Sequence, residues 1–208
     1  MTMKIPLRDV TLEGNLLIPP GAKGVVIFAH GSGSSRLSPR NQFVAEHLRE
    51  SDLGTLLVDL LAPEEDVVEE RFNIGLLALR LQGITDWVRK QTEALETRGM
   101  KIGYFGASTG AAAALIAAAG DPKISAVVSR GGRPDLAGAV LPRVKAPTLL
   151  IVGGEDTPVI EMNREAFDLL GCVKDLVIVP GATHLFEEAG ALEQVARHAE
   201  LWFVKCLT

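Results

Sequence analysis

The chain has 208 residues, and 47% of them are hydrophobic, which is enough for the core of one domain of above-average size. Its formal net charge is −5 at pH 7 and its lysines and arginines are scattered, so the composition argues against a nucleic-acid-binding protein. Apolar runs are short and interrupted by glycine, proline or charged residues, which argues against a membrane span.

The two cysteines, Cys172 and Cys206, lie outside any C-x-x-C spacing, and the residues after Met1 lack the apolar stretch of a secretion signal. We therefore expect a soluble cytoplasmic protein with both thiols reduced. No repeat, low-complexity tract or linker divides the sequence, which predicts a single domain over residues 1–208.

Strands and helices are predicted to alternate after an N-terminal hairpin. Residues 4–17 alternate in patches and predict an antiparallel hairpin, with turn residues at Asp9 and at 13–15. Buried strands are predicted at residues 24–29, 53–61, 102–105, 124–128, 149–152 and 176–179. Helices are predicted from Ser38-Pro39 onward, over about 74–95, after 110, and over about 159–170 and 190–206. This order indicates an α/β fold: a mostly parallel central sheet with helices on both faces.

Residues 101–120 have the pattern of a strand, a sharp turn and a helix. The turn, Gly106 to Gly110, has the G-x-S-x-G spacing around Ser108. The two glycines give room for strand and helix to approach closely around a strained serine, and the helix start offers N–H groups to a developing oxyanion. Small residues also occur in ordinary close-packed connections of this kind. Ser108 is the predicted nucleophile, provided that catalytic partners follow later in the chain.

Two later residues supply these partners. A serine hydroxyl needs a base to accept its proton and a third group to orient that base. His184 follows one predicted strand and Asp156 follows another, and the ends of parallel strands meet at one rim of a sheet. The order Ser108, Asp156, His184 is the nucleophile-acid-base order expected on this architecture. His30 belongs to a small-residue loop, where a bracing role is expected.

The assignment of the acid leaves alternatives open. Asp156 is favoured because the glycines before it suit a turn and a short Asp side chain reaches a histidine rigidly. Glu155 could take this role if the loop turns one residue earlier. Asp135 and Asp59 also lie near predicted strand ends, and a charge at a helix start after Pro134 is the simpler interpretation of Asp135.

The loop over residues 30–35, His-Gly-Ser-Gly-Ser-Ser, should lie beside Ser108. The backbone N–H of Ser32 is then predicted to join that of Thr109 in an oxyanion hole. Glycines in this loop would let the backbone approach the reacting group. The alternative is a flexible turn that binds nothing.

Four segments carry a resemblance to a known family: HGSGSS at 30–35, GYFGASTG at 103–110, LLIVGGED at 149–156 and PGATHLF at 180–186. With them the chain resembles the dienelactone hydrolase-like branch of the α/β-hydrolase superfamily. The resemblance implies a Ser-His-Asp enzyme that cleaves a small carboxylic ester, lactone or thioester through an acyl-enzyme, without a cofactor or metal. Dienelactone hydrolases proper use a cysteine nucleophile, whereas residue 108 is serine. No long insertion follows residue 128, so we expect little or no lid and an open pocket.

Four arginines follow strand ends on the predicted active rim: Arg36, Arg40, Arg130 and Arg133. Arginine binds carboxylates and phosphates in a bidentate manner, so a small anionic acyl substrate is one hypothesis. The alternative is that these residues form ion pairs with nearby carboxylates, namely Asp59, Glu64, Glu65 or Asp135.

Two other functions fit the same pattern. An acyltransferase would use the same three residues with an acceptor other than water. A small-molecule binding protein would have the same fold without turnover, because a fold does not fix a function. The sequence leaves open whether the protein is a monomer or a homodimer.

Overall fold

The computed structural model describes residues 2–94 and 99–208. Across these residues the strands are β1 Met3–Pro6, β2 Thr11–Leu17, β3 Gly24–Ala29, β4 Leu53–Val58, β5 Lys101–Ala107, β6 Ile124–Arg130, β7 Thr148–Gly153 and β8 Lys174–Val179. The helices are α1 Pro39–Glu50, α2 Val68–Arg71, α3 Ile74–Ala94, α4 Thr109–Gly120, α5 Thr157–Leu169 and α6 Ala191–Leu207. A 3₁₀ segment, Pro134–Arg143, has a kink at Gly138.

The described strands form one eight-stranded sheet in the order β1-β2-β4-β3-β5-β6-β7-β8. Strands β3 to β8 are mutually parallel, whereas β2 is antiparallel to both β1 and β4. The expected mostly parallel sheet with an antiparallel N-terminal hairpin at its edge is therefore confirmed. In register, Ala29 lies beside Gly106 and Ala107 beside Arg130, so the ends of the central strands meet at one edge.

The hairpin turns at one of its two predicted sites, Asp9, and not at the other, residues 13–15. The N–H of Leu7 donates to the oxygen of Val10 at 2.8 Å, and the chain reverses there. Residues 13–15, predicted as turn material, lie inside β2. A Cβ at Gly14 would be 2.7 Å from Cδ1 of the buried Ile5, so that side chain would have to move. A glycine in a strand can therefore reflect close packing as well as a turn.

Helices cover both faces of the sheet, as expected. Along β3, Val25 and Ile27 pack on the side of α3 and α4, whereas Val26 and Phe28 pack on the side of α1 and α6. Successive strand residues point to opposite faces, so a strand buried on both sides reads as a continuous apolar run. Each fully buried side chain of this kind stabilises the fold by about 1.5–3 kcal/mol.

The start of α1 follows the predicted signal. The side chain of Ser38 accepts a hydrogen bond from the N–H of Asn41, and Pro39 occupies the first helical position. Proline costs nothing there because a backbone N–H at the first helical position would have no acceptor within the helix. This cap places the N-terminus of α1 directly after the loop over residues 30–35.

The predicted end of β4 is wrong, and that of α3 cannot be compared with the structure. Strand β4 ends at Val58, not at Leu61, because the N–H of Leu60 leaves the ladder and donates to Nε2 of His30 at 3.1 Å. Leu60 and Leu61 stay buried in the loop, so their apolar character extended the predicted strand. The predicted end of α3 near residue 95 lies outside the described residues.

The connection from β6 to β7 carries only the short 3₁₀ segment, and no lid covers the sheet edge within the described chain. None of the helices in residues 2–94 and 99–208 is long and apolar enough to span a bilayer.

Candidate active site

Ser108 occupies a strained turn between β5 and α4. Its backbone has φ 50° and ψ −121°, a conformation that costs a residue with a side chain about 1–3 kcal/mol. The turn is held from both sides: the N–H of Ser108 donates to the oxygen of Arg130 at 3.3 Å, and the N–H of Arg133 donates to the oxygen of Ser108 at 3.1 Å. The strain is therefore maintained by neighbouring backbone.

The two glycines of the turn are required by close packing. A Cβ at Gly106 would lie 2.4 Å from Cα of Ala111, and one at Gly110 would lie 2.2 Å from the oxygen of Ala29. Both distances are below 3.0 Å, which Cβ atoms in proteins essentially never show for such contacts. Helix α4 thus approaches the sheet by backbone contact, which fixes the position of Ser108 relative to β3 and β5.

His184 and Asp156 form a close pair at the same edge of the sheet. Nδ1 of His184 lies 2.7 Å from Oδ2 of Asp156. A carboxylate accepts hydrogen bonds only, so Nδ1 carries the proton and Nε2 is left to act as an acceptor. The Asp156 side chain is 13% exposed and that of His184 is 40% exposed, so the acid is sheltered while the imidazole faces solvent.

The loops that carry this pair are joined through their backbones. The N–H of Gly154 donates to the oxygen of Val179 at 2.8 Å, and that of Glu155 donates to the oxygen of Ala182 at 3.0 Å. A Cβ at Gly153 would lie 2.4 Å from the oxygen of Ala182. This contact orients the loop so that Asp156, rather than the neighbouring Glu155, reaches the imidazole.

Ser108 and His184 flank one backbone turn. This turn spans residues 130–133: backbone hydrogen bonds join Ser108 to Arg130 and Arg133, and Gly131 between them has φ 51°. A Cβ at Gly131 would lie 3.1 Å from the oxygen of His184 and 3.6 Å from its Cε1. Within the described chain no hydrogen bond joins the Ser108 hydroxyl to the imidazole. Such bonds are often long in a free enzyme and shorten when substrate binds.

The loop over residues 30–35 packs directly on this turn. A Cβ at Gly31 would lie 2.9 Å from Cβ of Ser108. The N–H of Ser32 donates to Oγ1 of Thr109 at 2.9 Å, so this predicted oxyanion donor already has a partner. Thr109 is the first residue of α4, and its own N–H has no acceptor within the helix.

His30 fixes the loop over residues 30–35 through both nitrogens of its ring. Its Nδ1 lies 3.0 Å from the oxygen of Gly31, and its Nε2 accepts the N–H of Leu60. The ring therefore carries its proton on Nδ1 and is neutral. Burial lowers the pKa of His30 below its ordinary value of 6.5, against a weaker upward effect of the hydrogen bond to Gly31.

Arg36, one of the proposed substrate residues, is committed to two carboxylates. Its guanidinium contacts Asp59, and Nη2 lies 2.7 Å from Oε2 of Glu13. The backbone N–H of Arg36 also donates to Asp59, at 2.7 Å. These contacts fit the ion-pair alternative for Arg36, and they remove Asp59 from the candidates for the acid.

Arg133 and Arg40 also have carboxylate partners. Arg133 binds Asp135 in a bidentate manner, with Nε and Nη2 at 2.9 and 2.8 Å from the two carboxylate oxygens. Nη1 of Arg40 lies 3.1 Å from Oε1 of Glu187, which is largely exposed. Asp135 therefore neutralises Arg133 rather than orienting His184.

Arg130 is different, because its side chain is buried and donates its hydrogen bond to an uncharged amide. The residue is 6% exposed, and Nη2 donates to Oδ1 of Asn41 at 3.3 Å. Its Cζ lies 5.9 Å from the ring centroid of Phe186, and Nε has no partner among the described residues. Burial, and then the charge of Arg40, lowers the pKa of Arg130 to about 10, so the group remains a cation at neutral pH.

Asn41 and Phe186 were missed as contributors to the site. Asn41 lies in the first turn of α1, and Phe186 has φ 56° two residues after His184. A positive φ in a non-glycine residue cannot be recognised in a sequence. Within residues 2–94 and 99–208, no group of three or more His, Cys, Asp or Glu side chains could hold a metal ion.

The sheet order, the helices on both faces and the strand-turn-helix at Ser108 define the α/β-hydrolase fold. Residues 12–206 match the sequence profile of the Dienelactone hydrolase family. The chain therefore belongs to the dienelactone hydrolase family.

Solved structures agree with this assignment. A dienelactone hydrolase from Anabaena variabilis is 56% identical, with a TM-score of 0.94 over 100% of this chain and 98% of that chain. Est1E from Butyrivibrio proteoclasticus has a TM-score of 0.81 over 98% of both chains at 17% identity, which is a likeness of fold.

Two curated proteins from Mycobacterium tuberculosis strains are each 53% identical over 96% of this chain. Both are provisionally named phosphoribosyl transferases. The match covers 47% of each relative, so the chain spans about half the length of these proteins.

Proposed function

We propose that the protein hydrolyses a small carboxylic ester, lactone or thioester through an acyl-enzyme on Ser108. The observation that carries the proposal is the 2.7 Å contact between His184 and Asp156, with His184 against Gly131 in the loop that is hydrogen-bonded to the strained Ser108. Membership in the dienelactone hydrolase family supports hydrolysis, as does the 56% identity to a dienelactone hydrolase.

In the first half-reaction, Oγ of Ser108 attacks the acyl carbon while Nε2 of His184 accepts its proton. The electron pair of the carbonyl bond moves to oxygen and forms a tetrahedral oxyanion. Collapse of this intermediate breaks the bond to the alkoxide or thiolate, which leaves with the proton from His184. Asp156 keeps the imidazole in the required tautomer and stabilises its charged form.

In the second half-reaction, water attacks the acyl-enzyme while His184 accepts its proton. Collapse of the second tetrahedral intermediate breaks the bond to Oγ of Ser108, which takes the proton back from His184 as the carboxylic acid leaves. The oxyanion would be stabilised by the N–H of Thr109, and the N–H of Ser32, which donates to Oγ1 of Thr109 at 2.9 Å, would support it from the adjoining loop. Loss of one oxyanion donor typically reduces turnover by 10²- to 10³-fold, roughly 3 kcal/mol.

Arg130 favours a substrate with an anionic group. A buried guanidinium without a carboxylate partner is costly, and an anion would offset that cost. Arg130 precedes Gly131, which lies against His184, so an anion bound there would be close to the reacting ester. The open edge of the sheet suits a small acyl compound. Arg36, Arg40 and Arg133, each paired with a carboxylate, would contribute less.

Labelling with a fluorophosphonate probe tests the proposal, since the probe reacts covalently with an activated serine. We expect labelling of the wild-type protein and none of Ser108→Ala, with the same dependence in turnover of p-nitrophenyl esters, lactones and thioesters. Unlabelled wild-type protein would favour a non-catalytic binding protein.

An acyltransferase on the same three residues is the second candidate, and it differs only in the acceptor that resolves the acyl-enzyme. Turnover of a p-nitrophenyl ester in the presence of alcohol and amine acceptors separates the two. Free acid as the main product at all acceptor concentrations supports hydrolysis. Acylated acceptor in place of free acid supports transfer.

A further inference from the structure

The hydroxyl of Thr109 lies between the two parts of the proposed oxyanion hole. Thr109 is 2% exposed, and its Oγ1 accepts the N–H of Ser32 at 2.9 Å from a loop 77 residues away in sequence. This side chain therefore connects the loop after β3 to the first turn of α4.

A threonine hydroxyl can donate one hydrogen bond as well as accept, and here only the acceptor role is used. Among residues 2–94 and 99–208, no group accepts the hydroxyl proton of Thr109. A buried hydroxyl proton without an acceptor costs about 1–3 kcal/mol. The proton is available to an acceptor that arrives with the reaction.

The position of Thr109 determines which acceptor that is. It directly follows Ser108, and its N–H has no acceptor within α4 because it is the first residue of the helix. Its hydroxyl contacts the loop that packs on the nucleophile, where a Cβ at Gly31 would be 2.9 Å from Cβ of Ser108. The hydroxyl thus lies next to the position of the proposed oxyanion hole.

We infer that Thr109 is a catalytic residue. Its hydroxyl donates a hydrogen bond to the oxyanion while it accepts one from the N–H of Ser32. The inference rests on the proposed hydrolase function and refines it, because Ser32 then acts through Thr109. The chain from the Ser32 N–H through the hydroxyl to the oxyanion is cooperative, since each hydrogen bond polarises the next. Thr109 supplies two donors, its N–H and its hydroxyl.

Two substitutions separate the hydroxyl from the shape of the side chain. Thr109→Val keeps the size and removes the hydroxyl, whereas Thr109→Ser keeps the hydroxyl. We expect Thr109→Val to lower kcat by about 10- to 1000-fold with little change in KM, and Thr109→Ser to stay within about threefold of wild type. Wild-type kcat in Thr109→Val, or an equal loss in both variants, would overturn the inference.

A transition-state analogue gives a readout that a purely structural role would not produce. A trifluoromethyl ketone forms an anionic hemiketal with the serine, so its affinity reports on the oxyanion hole. Across wild type, Thr109→Ser and Thr109→Val, its affinity should fall in step with kcat/KM. Unchanged inhibitor affinity in Thr109→Val at an unchanged melting temperature would contradict the inference.

Ser108→Ala distinguishes the two levels of failure. If wild-type turnover does not depend on Ser108, the proposed function fails and this inference fails with it. If turnover depends on Ser108 but Thr109→Val is fully active, only the role of the hydroxyl is wrong.

Discussion

The guanidinium of Arg130 lies over the ring of Phe186, with Cζ 5.9 Å from the ring centroid, and Phe186 also packs on Gly131 beside His184. The buried Arg130 cation thus contacts, through Phe186, the loop that carries His184. In the proposed function this cation recognises the anionic group of the substrate.

Replacement of Arg130 tests this assignment. We expect Arg130→Met to lower kcat/KM for a carboxylated ester by about 10- to 100-fold, because a charge-assisted hydrogen bond contributes about 1.5–3 kcal/mol. A matched neutral ester should change by less than about threefold. Steady-state kinetics on both esters is the measurement, and Arg133→Met, whose charge is paired with Asp135, is the control. Equal losses on both esters would exclude an anion site at Arg130.

Replacement of Asp156 tests the pair with His184. Asp156→Asn keeps the shape but can donate a hydrogen bond to Nδ1, which would stabilise the wrong tautomer. We expect kcat to fall by about 10²- to 10⁴-fold with nearly unchanged stability. Asp135→Asn removes a carboxylate that binds only Arg133, and its activity should remain near wild type. If the two variants lost activity equally, the assignment of the acid to Asp156 would be wrong.

The sequence predicted the strands of the parallel sheet, since strands buried on both faces are continuous apolar runs, as in β3 and β7. It did not predict the end of β4, because Leu60 and Leu61 are apolar and buried without being in the sheet. Each candidate acid lay near a strand end, so only the contacts of Asp156 and Asp135 in the fold separate them.

Contacts between distant parts of the chain explain the rest of what the sequence missed. The partner of the Ser32 N–H is a side chain 77 residues away, and no local pattern records such a distance. The arginines after the strand ends are alike in sequence. Their carboxylate partners come from β2 and from the loops after other strands, so tertiary structure decides which cation has no such partner among the described residues.

The neutral, buried His30 predicts a pH dependence of stability. Its pKa in the folded protein is lowered from 6.5 by burial, so the unfolded chain binds a proton near pH 6.5 while the folded protein does not. His30 therefore contributes full stability above about pH 6.5, and this contribution is lost as pH falls from there toward the folded pKa.

Urea denaturation of wild type and His30→Gln between pH 8 and 5 measures this contribution. The glutamine can still accept a hydrogen bond but does not titrate, so the difference in unfolding free energy between the two proteins should shrink as pH falls. His198→Gln, a substitution of the histidine within α6, is the control and should leave the pH dependence in place. A constant difference between wild type and His30→Gln would contradict the prediction.

The backbone contact between α4 and β3 predicts opposite effects of two glycine-to-alanine substitutions. At Gly110 the new Cβ would lie 2.2 Å from the oxygen of Ala29, so the helix must shift and the unfolding free energy should fall by about 1–3 kcal/mol or more. At Gly75, in the first turn of α3, the nearest atom is Oδ1 of Asn73 at 3.8 Å, and alanine should raise the unfolding free energy by about 0.5–1 kcal/mol. Denaturant unfolding of both variants measures the two changes. The shift would also displace Ser108. Gly110→Ala should therefore lose esterase activity under conditions where it is still folded, whereas Gly75→Ala should keep it. A stable, fully active Gly110→Ala would contradict the prediction and show that the turn tolerates a looser contact.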